Sequence, residues 1–186
     1  MDYFILYCFG PIDADRATVD LKSDLEDVYW NSGDIISTHL PDTFHLQLDV
    51  EQGEALVPMF NPGILVMHDD MISTLRIAGV DNFQTFSAVI SDEVRNVIHT
   101  NYKVVNIIGK VACANLSMSQ HTAHGEPIMD VDFDSLVIDE SRTHGLLMFR
   151  LAECVSAIVI ADSVREALQE AGIKHLNYVS PEDFVG

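Results

Sequence analysis

The stretch 64–86, ILVMHDDMISTLRIAGVDNFQTF, returns 93 positions later as 157–179, AIVIADSVREALQEAGIKHLNYV. The two superpose without a gap, with identities at Val66/Val159, Asp69/Asp162, Leu75/Leu168, Ala78/Ala171 and Gly79/Gly172. Each copy reads as an apolar strand, an Asp-led turn, a helix, a glycine stop and a second short strand. Met71, Leu75 and Ala78 in one copy, and Val164, Leu168 and Ala171 in the other, recur at i, i+4, i+7 and so share one helix face. Asp69 and Asp162, or the residue after each, are placed to accept the free N–H groups of the first turn, and Ser163 with Glu166 fits a capping box. Gly79 and Gly172 suit the left-handed position after a helix, with Val80 and Ile173 closing over its end. A third copy is not visible, so the pattern is a duplicated unit and not a solenoid.

Outward from the repeat, further strands are legible. Tyr3–Phe9 is apolar and aromatic and stops at Gly10-Pro11. Phe44, Leu46, Leu48 and Val50 alternate with His45, Gln47 and Asp49, the period of a half-buried strand. The segment 102–116, YKVVNIIGKVACANL, is a strand region; 130–138 and 145–153 are two more strands joined by the turn ESRTHG. Residues 13–43 are polar and acidic, with a short helix at DLEDVYW, and 51–62 are irregular around Pro58 and Pro62. The expected fold is one α+β domain over 1–186: a mixed or antiparallel sheet with the duplicated strand-helix-strand units packed on it, bilobal, with units at 64–86 and 157–179.

Apolar residues make up 48% of the 186-residue chain, enough for a sizeable core without disulfides or metals. The outlier is charge: 29 acids against 10 bases, a net −19. Such a surface repels nucleic acid and anionic lipid and attracts basic proteins. Cys8, Cys113 and Cys154 are odd in number, widely spaced and apolar in context, as expected of free thiols in a reducing compartment. MDYFILYCFG has no basic stretch and reads as a strand, not a leader. No run approaches the ~18 apolar residues of a membrane span. A soluble cytoplasmic protein is expected.

Candidate chemistry gathers in 129–145, MDVDFDSLVIDESRTHG. On a strand, Asp130, Asp132 and Asp134 point to one face and Val131 and Phe133 to the other. Three carboxylates converging without a cation would repel each other, so a solvated face is the favoured reading. Upstream, His121-x-x-His124 would put two imidazoles on one side of a helix, where the aspartates could complete a metal site. That defines the alternative reading, a small metal-dependent hydrolase. Against it, SQHTAHGEP is turn-rich and lacks an HExxH motif or a cysteine pair. No Gly-rich loop precedes either repeat helix, and Asp69 and Asp162 would repel a phosphate there. Gly109-Lys110 lacks the rest of a phosphate loop, and there is no GxSxG nucleophile elbow. The chain is therefore expected to have no catalytic residue, metal or cofactor. Asp130, Asp132, Asp134, Asp139 and Glu140 are the candidate partner-contact residues. An acidic mimic of nucleic acid is a further alternative, with charge as its only signature.

Four stretches resemble a known family. NYKVVNIIGKVACANLSMSQ (101–120) is similar to the Tyr-Lys-x-x-Asn-hydrophobic-hydrophobic-Gly segment of immunity family eleven of bacterial polymorphic-toxin systems. LVIDESRTHGLLMFRLAE (136–153) resembles its Asp turn followed by a Phe-Arg-Leu strand, VIADSVREALQEAGIKHLNYVSPE (159–182) its C-terminal end, and 63–90 its earlier strand–helix unit. Together they cover about residues 44–182, in the family's order. The matched positions Asn106, Gly109, Asp139, Phe149 and Arg150 read as scaffold. The resemblance implies a cytoplasmic protein that binds a cognate toxin with a basic surface and blocks it by occlusion. The charge makes a nuclease the expected toxin class, because nucleases carry basic active-site surfaces.

Overall fold

The computed structural model describes residues 2–7, 18–21, 28–49, 56–61, 63–125 and 130–186. In chain order the first elements are β1 (Tyr3–Tyr7), β2 (Thr18–Leu21), β3 (Phe44–Asp49), β4 (Met59–Phe60), β5 (Leu65–His68) and α1 (Asp69–Ile77). Next come β6 (Phe83–Asp92), β7 (Val97–Ile107), β8 (Lys110–Val111), β9 (Gln120–His124), β10 (Asp130–Ser135) and β11 (Met148–Leu151). The last are β12 (Ile158–Ala161), α2 (Asp162–Glu170) and β13 (Asn177–Val179). The fold is α+β. A six-stranded sheet has the order β2-β3-β6-β7-β5-β4, a five-stranded sheet the order β13-β1-β12-β11-β8, and β9 and β10 form a separate ribbon. Most neighbours are antiparallel; β3–β6 and β8–β11 are parallel.

The duplication holds down to the register. Leu65, Val66, Met67 and His68 face Val105, Val104, Lys103 and Tyr102 of β7. Ile158, Val159, Ile160 and Ala161 face Leu6, Ile5, Phe4 and Tyr3 of β1. On the far side of these central strands, Thr85 and Phe86 face Val105 and Val104, as Tyr178 and Val179 face Leu6 and Ile5. Residues 93 apart thus occupy the same place in each sheet. In both halves the strand–helix–strand crossover leaves its two strands parallel and one strand-width apart, and a third strand runs antiparallel between them. That strand follows its unit in the first half (β7) and precedes it in the second (β1). The correspondence also reaches β4 and β11: Met59 and Phe60 pair with Met67 and Val66, as Met148 and Phe149 pair with Ile160 and Val159.

One side-chain device recurs with the backbone. Tyr102 lies 5.7 Å from the Phe60 ring, and Tyr3 lies 5.7 Å from the Phe149 ring. The Tyr102 hydroxyl donates to the Val57 carbonyl at 3.0 Å; the Tyr3 hydroxyl reaches the equivalent Leu146 carbonyl at 3.2 Å and Thr143 Oγ1 at 2.8 Å. Both tyrosines are buried, so each hydroxyl needs such a partner. Each ring bridges two strands and ties the segment entering the next strand to the central one.

The first two positions of each expected stripe are buried, Met71 and Leu75 on α1 and Val164 and Leu168 on α2, with Ile72 beside them; the third is not, since Ala78 is half-buried and Ala171 exposed where the helix runs out. The helices pack on each other. Their residues join the helix-facing sides of both sheets in one large apolar cluster, so the two units share a core. A second cluster lies on the opposite face of the six-stranded sheet, where Trp30 meets Phe44 and Phe86 edge-on. Gly79 (φ +92°) and Gly172 (φ +71°) end the helices, each followed by a residue whose N–H returns to the helix: Val80 to Leu75, Ile173 to Leu168. The expected caps are corrected. Asp69 and Asp162 are the first helical residues, not N-caps. His68 Nδ1 caps α1 by accepting from the Asp70 N–H, while Ala161 precedes α2 and offers no side-chain acceptor. Asp162 instead binds the Arg165 side chain.

Two strands emerge where the sequence was read as polar or irregular, β2 and β4. The second strand of the first repeat unit runs ten residues, not a short stretch. Phe9, Gly10, Pro11, the acidic start of DLEDVYW, Val50, Pro62 and Cys8 lie outside the described residues. Cys113 and Cys154 are free and buried. Among the described residues no helix is long and apolar enough to cross a membrane.

The matched tyrosines make a direct test of the duplication. Tyr102→Phe strands the buried Val57 carbonyl, and Tyr3→Phe removes the contacts to Thr143 Oγ1 and the partly buried Leu146 carbonyl; each is expected to cost about 1 kcal/mol. In a chain of this length that is a fall of about 2–4 °C in Tm per substitution. Thermal unfolding by circular dichroism should show similar falls at the two sites.

Candidate functional site: an acidic ribbon and an acidic groove

β10 alternates as its sequence requires. Asp130, Asp132 and Asp134 are exposed, and Val131 and Phe133 are buried. Phe133 packs on the Phe184 ring at 6.1 Å. Its backbone exchanges hydrogen bonds with Gly186, while Val131 N–H donates to the Glu153 carbonyl and Leu136 N–H to the Pro181 carbonyl. The C-terminal segment therefore clamps the inner side of the ribbon and leaves the carboxylate side to solvent.

β9 completes the outer face. Asp130 lies opposite His124 and Asp132 opposite Thr122, while Phe133 lies opposite His121. His124 Nε2 is 2.7 Å from Asp132 Oδ2, and both side chains are exposed. His121 belongs to the other side: its ring leans on Phe133 at 6.3 Å, and its Nδ1 lies 3.3 Å from the Ser119 carbonyl. The expectation that His121 and His124 share a helix face is thus corrected. They lie on a strand, where a spacing of three sends them to opposite sides. The imidazoles do not converge on the aspartates as a pair. Among the described residues no three His, Cys, Asp or Glu side chains come together as metal ligands.

Asp139 and Glu140 lie beyond the ribbon, on a 3-10 turn spanning Glu140–Arg142. Asp139 caps it: Oδ1 accepts from the Ser141 N–H at 3.1 Å and the Ser141 hydroxyl at 2.6 Å, and Oδ2 lies 3.0 Å from Arg142 Nε. These contacts, led by the Ser141 hydroxyl, hold the Asp139 carboxyl below the ordinary aspartate range. Its first role is to shape its own turn, consistent with a scaffold position. Glu140 instead lines a groove of ≈ 360 Å³ with Asp2, Leu136, Ser180, Pro181 and Glu182. Asp2 and Glu182 escaped the sequence reading. They reach Glu140 only because the N-terminal strand, the turn and the C-terminal segment meet here, and no local motif announces that.

The other positions expected to be scaffold are buried, apart from the half-buried Gly109. Asn106 Nδ2 donates to the Asp34 carbonyl and to Gln84 Oε1. Gly109, at φ +115°, passes against Gly33, whose carbonyl accepts the Gly109 N–H at 2.8 Å. Phe149 and Arg150 are buried, and Arg150 Nη1 donates to the Val155 carbonyl. No family model matches this chain, and no curated protein matches it.

Glu153 lies beneath the ribbon. Its backbone carbonyl holds Val131, and its Oε1 accepts from the Ala114 N–H at 3.3 Å. Burial pushes its carboxyl above the ordinary glutamate range. A raised carboxyl favours the folded state at low pH, and that contribution is lost as pH rises through the folded value. Glu153→Gln keeps the acceptor without the charge. Its Tm advantage over the parent chain should therefore widen as pH is raised from 4 toward neutrality and then level off. An unchanging difference across that range would exclude the charge as the cause.

Proposed function

We propose that this chain is an immunity protein. It binds a toxin made by the same cell, in the cytoplasm, and neutralises it by covering a basic functional surface, with no chemistry of its own. The observation that carries this reading is the outer face of the β9–β10 ribbon. Three carboxylates stand together in water, one of them 2.7 Å from His124 Nε2, on a chain whose net charge is −19. A face of this kind meets a basic partner and has little to offer a phosphate backbone. The resemblance of residues 44–182 to immunity family eleven supports the same reading and supplies the toxin as partner class. A nuclease fits best, because its substrate groove must itself be cationic.

Co-expression tests it: cells making the toxin encoded beside this chain should survive only when the chain is also made. Loss of viability despite equal expression would overturn the reading. Replacing Asp130, Asp132 and Asp134 together by Asn should slow association with the toxin by roughly ten-fold at low ionic strength and much less at high salt, with little change in dissociation, as expected for charges at an interface rim. Stopped-flow mixing at two salt concentrations measures both.

A further inference from the structure

Comparison of the two halves isolates a part of the chain that the repeated frame does not use. In the second half the chain leaves the sheet after Val179, the equivalent of Phe86, and β1 begins at Tyr3, the equivalent of Tyr102. In the first half the same two strands continue as a hairpin through residues 87–101. β3 accompanies β6 as far as Ser91, and β5 leaves β7 at Tyr102. Past Ser91 and Tyr102 the hairpin has no further ladder partner outside itself among the described residues, and from Glu93 to Ile98 its side chains are exposed. Between Ala88 and Ile90 the register slips against β7, a bulge of the kind that re-aims a hairpin end.

This end is apolar where it should be polar. Val94 is 76% exposed, Val97 42% and Ile98 67%, three of the eight large apolar side chains exposed among the described residues. Val97 pairs with Asp92 and Ile98 with Ser91, so their side chains leave on opposite faces, with Val94 at the turn. Apolar on both faces and at its end, the hairpin has the shape of a finger, not of a flat patch. It is also held in place. Asp92, buried, accepts the Arg95 N–H at 2.9 Å and the Arg95 guanidinium at 2.8 Å, and Asn96 takes the left-handed conformation (φ +53°) that closes the turn. A finger rigid before binding loses little conformational entropy on insertion.

We propose that Asp92–Ile98 inserts into an apolar cleft, rimmed by basic side chains, on a protein partner. This rests on the protein-binding reading above and adds a second contact to it. Charge selects this occupant over the others. A second copy brings another −19, and nucleic acid and anionic membrane bring negative charge too. On the hairpin end Arg95, the one cation of 92–98, is held by Asp92, so the charge a partner meets is set by the chain's net −19.

The test uses the full chain and the toxin encoded beside it. Val94→Ser combined with Ile98→Ser should weaken binding at least about 30-fold, chiefly through faster dissociation, while Ile77→Ser, an equally exposed apolar position on α1, leaves affinity unchanged. A fluorophore on Val94→Cys should shift to the blue when the toxin is added. Affinity of the double variant within two-fold of the parent, or an unshifted fluorophore, would overturn the finger and leave the immunity reading standing. So would sedimentation showing a parent dimer that the double variant abolishes with toxin affinity intact. A parent chain that fails to bind the toxin at all would overturn both.

Discussion

A strand pinned between two parallel strands is the constraint on which the architecture depends. A strand–helix–strand crossover brings its strands back parallel, and here it leaves them one strand-width apart. The gap must be filled by a strand running the other way, or two rows of backbone N–H and C=O groups would go unpaired in the core. β7 fills it in one half and β1 in the other. Each is locked by a tyrosine that packs at an angle on a phenylalanine and hydrogen-bonds the carbonyl three residues before that phenylalanine, Tyr102 with Phe60 and Val57, Tyr3 with Phe149 and Leu146. Without these strands the helices would have no continuous sheet to cover, and Met71, Leu75, Val164 and Leu168 would lose the shared core they fill.

How much of this is legible in the amino-acid sequence depends on the range of each interaction. The repeat at 64–86 and 157–179 shows itself because strand, helix and glycine stop are neighbours in the chain and carry local periods. Gly79 and Gly172 fall where the left-handed turn needs them. The central strands hide their equivalence. DYFILY and NYKVVN share little beyond a tyrosine, and one precedes its unit while the other follows it. Likewise Val57-Pro58-Met59-Phe60 looks irregular because of the proline, yet it matches Leu146–Phe149. The offset there is 89 and not 93, since Phe60 stands six residues before its partner Val66 and Phe149 ten before Val159. Any gapless comparison loses the correspondence at that point.

The candidate site divides along the same line. The alternation of Asp130 to Asp134 is local, and the structure keeps it. The reading of His121 and His124 as a same-face pair depended on a helix, and hairpin pairing with β10 decided otherwise. Asp139 illustrates a different limit, since one carboxylate can be a surface charge or the cap of its own turn, and only the positions of Ser141 and Arg142 distinguish the two. Asp2, Glu140 and Glu182 stand far apart in the chain, and their meeting in one groove is a property of the fold alone.

The duplicated frame also indicates where function can reside. Residues that must satisfy the frame twice have little freedom to serve a partner: Tyr3 and Tyr102 are held by packing, Gly79 and Gly172 by their left-handed backbone. The additions have that freedom: the β9–β10 ribbon, with carboxylates outward, and the end of the β6–β7 hairpin, with valines and isoleucine outward. The two suit different parts of association. Exposed charges act over the Debye length, about 8 Å at physiological salt, and govern how fast a basic partner arrives. Apolar side chains act only at contact and govern how long it stays. A duplicated scaffold can carry each as a separate insertion without disturbing its core.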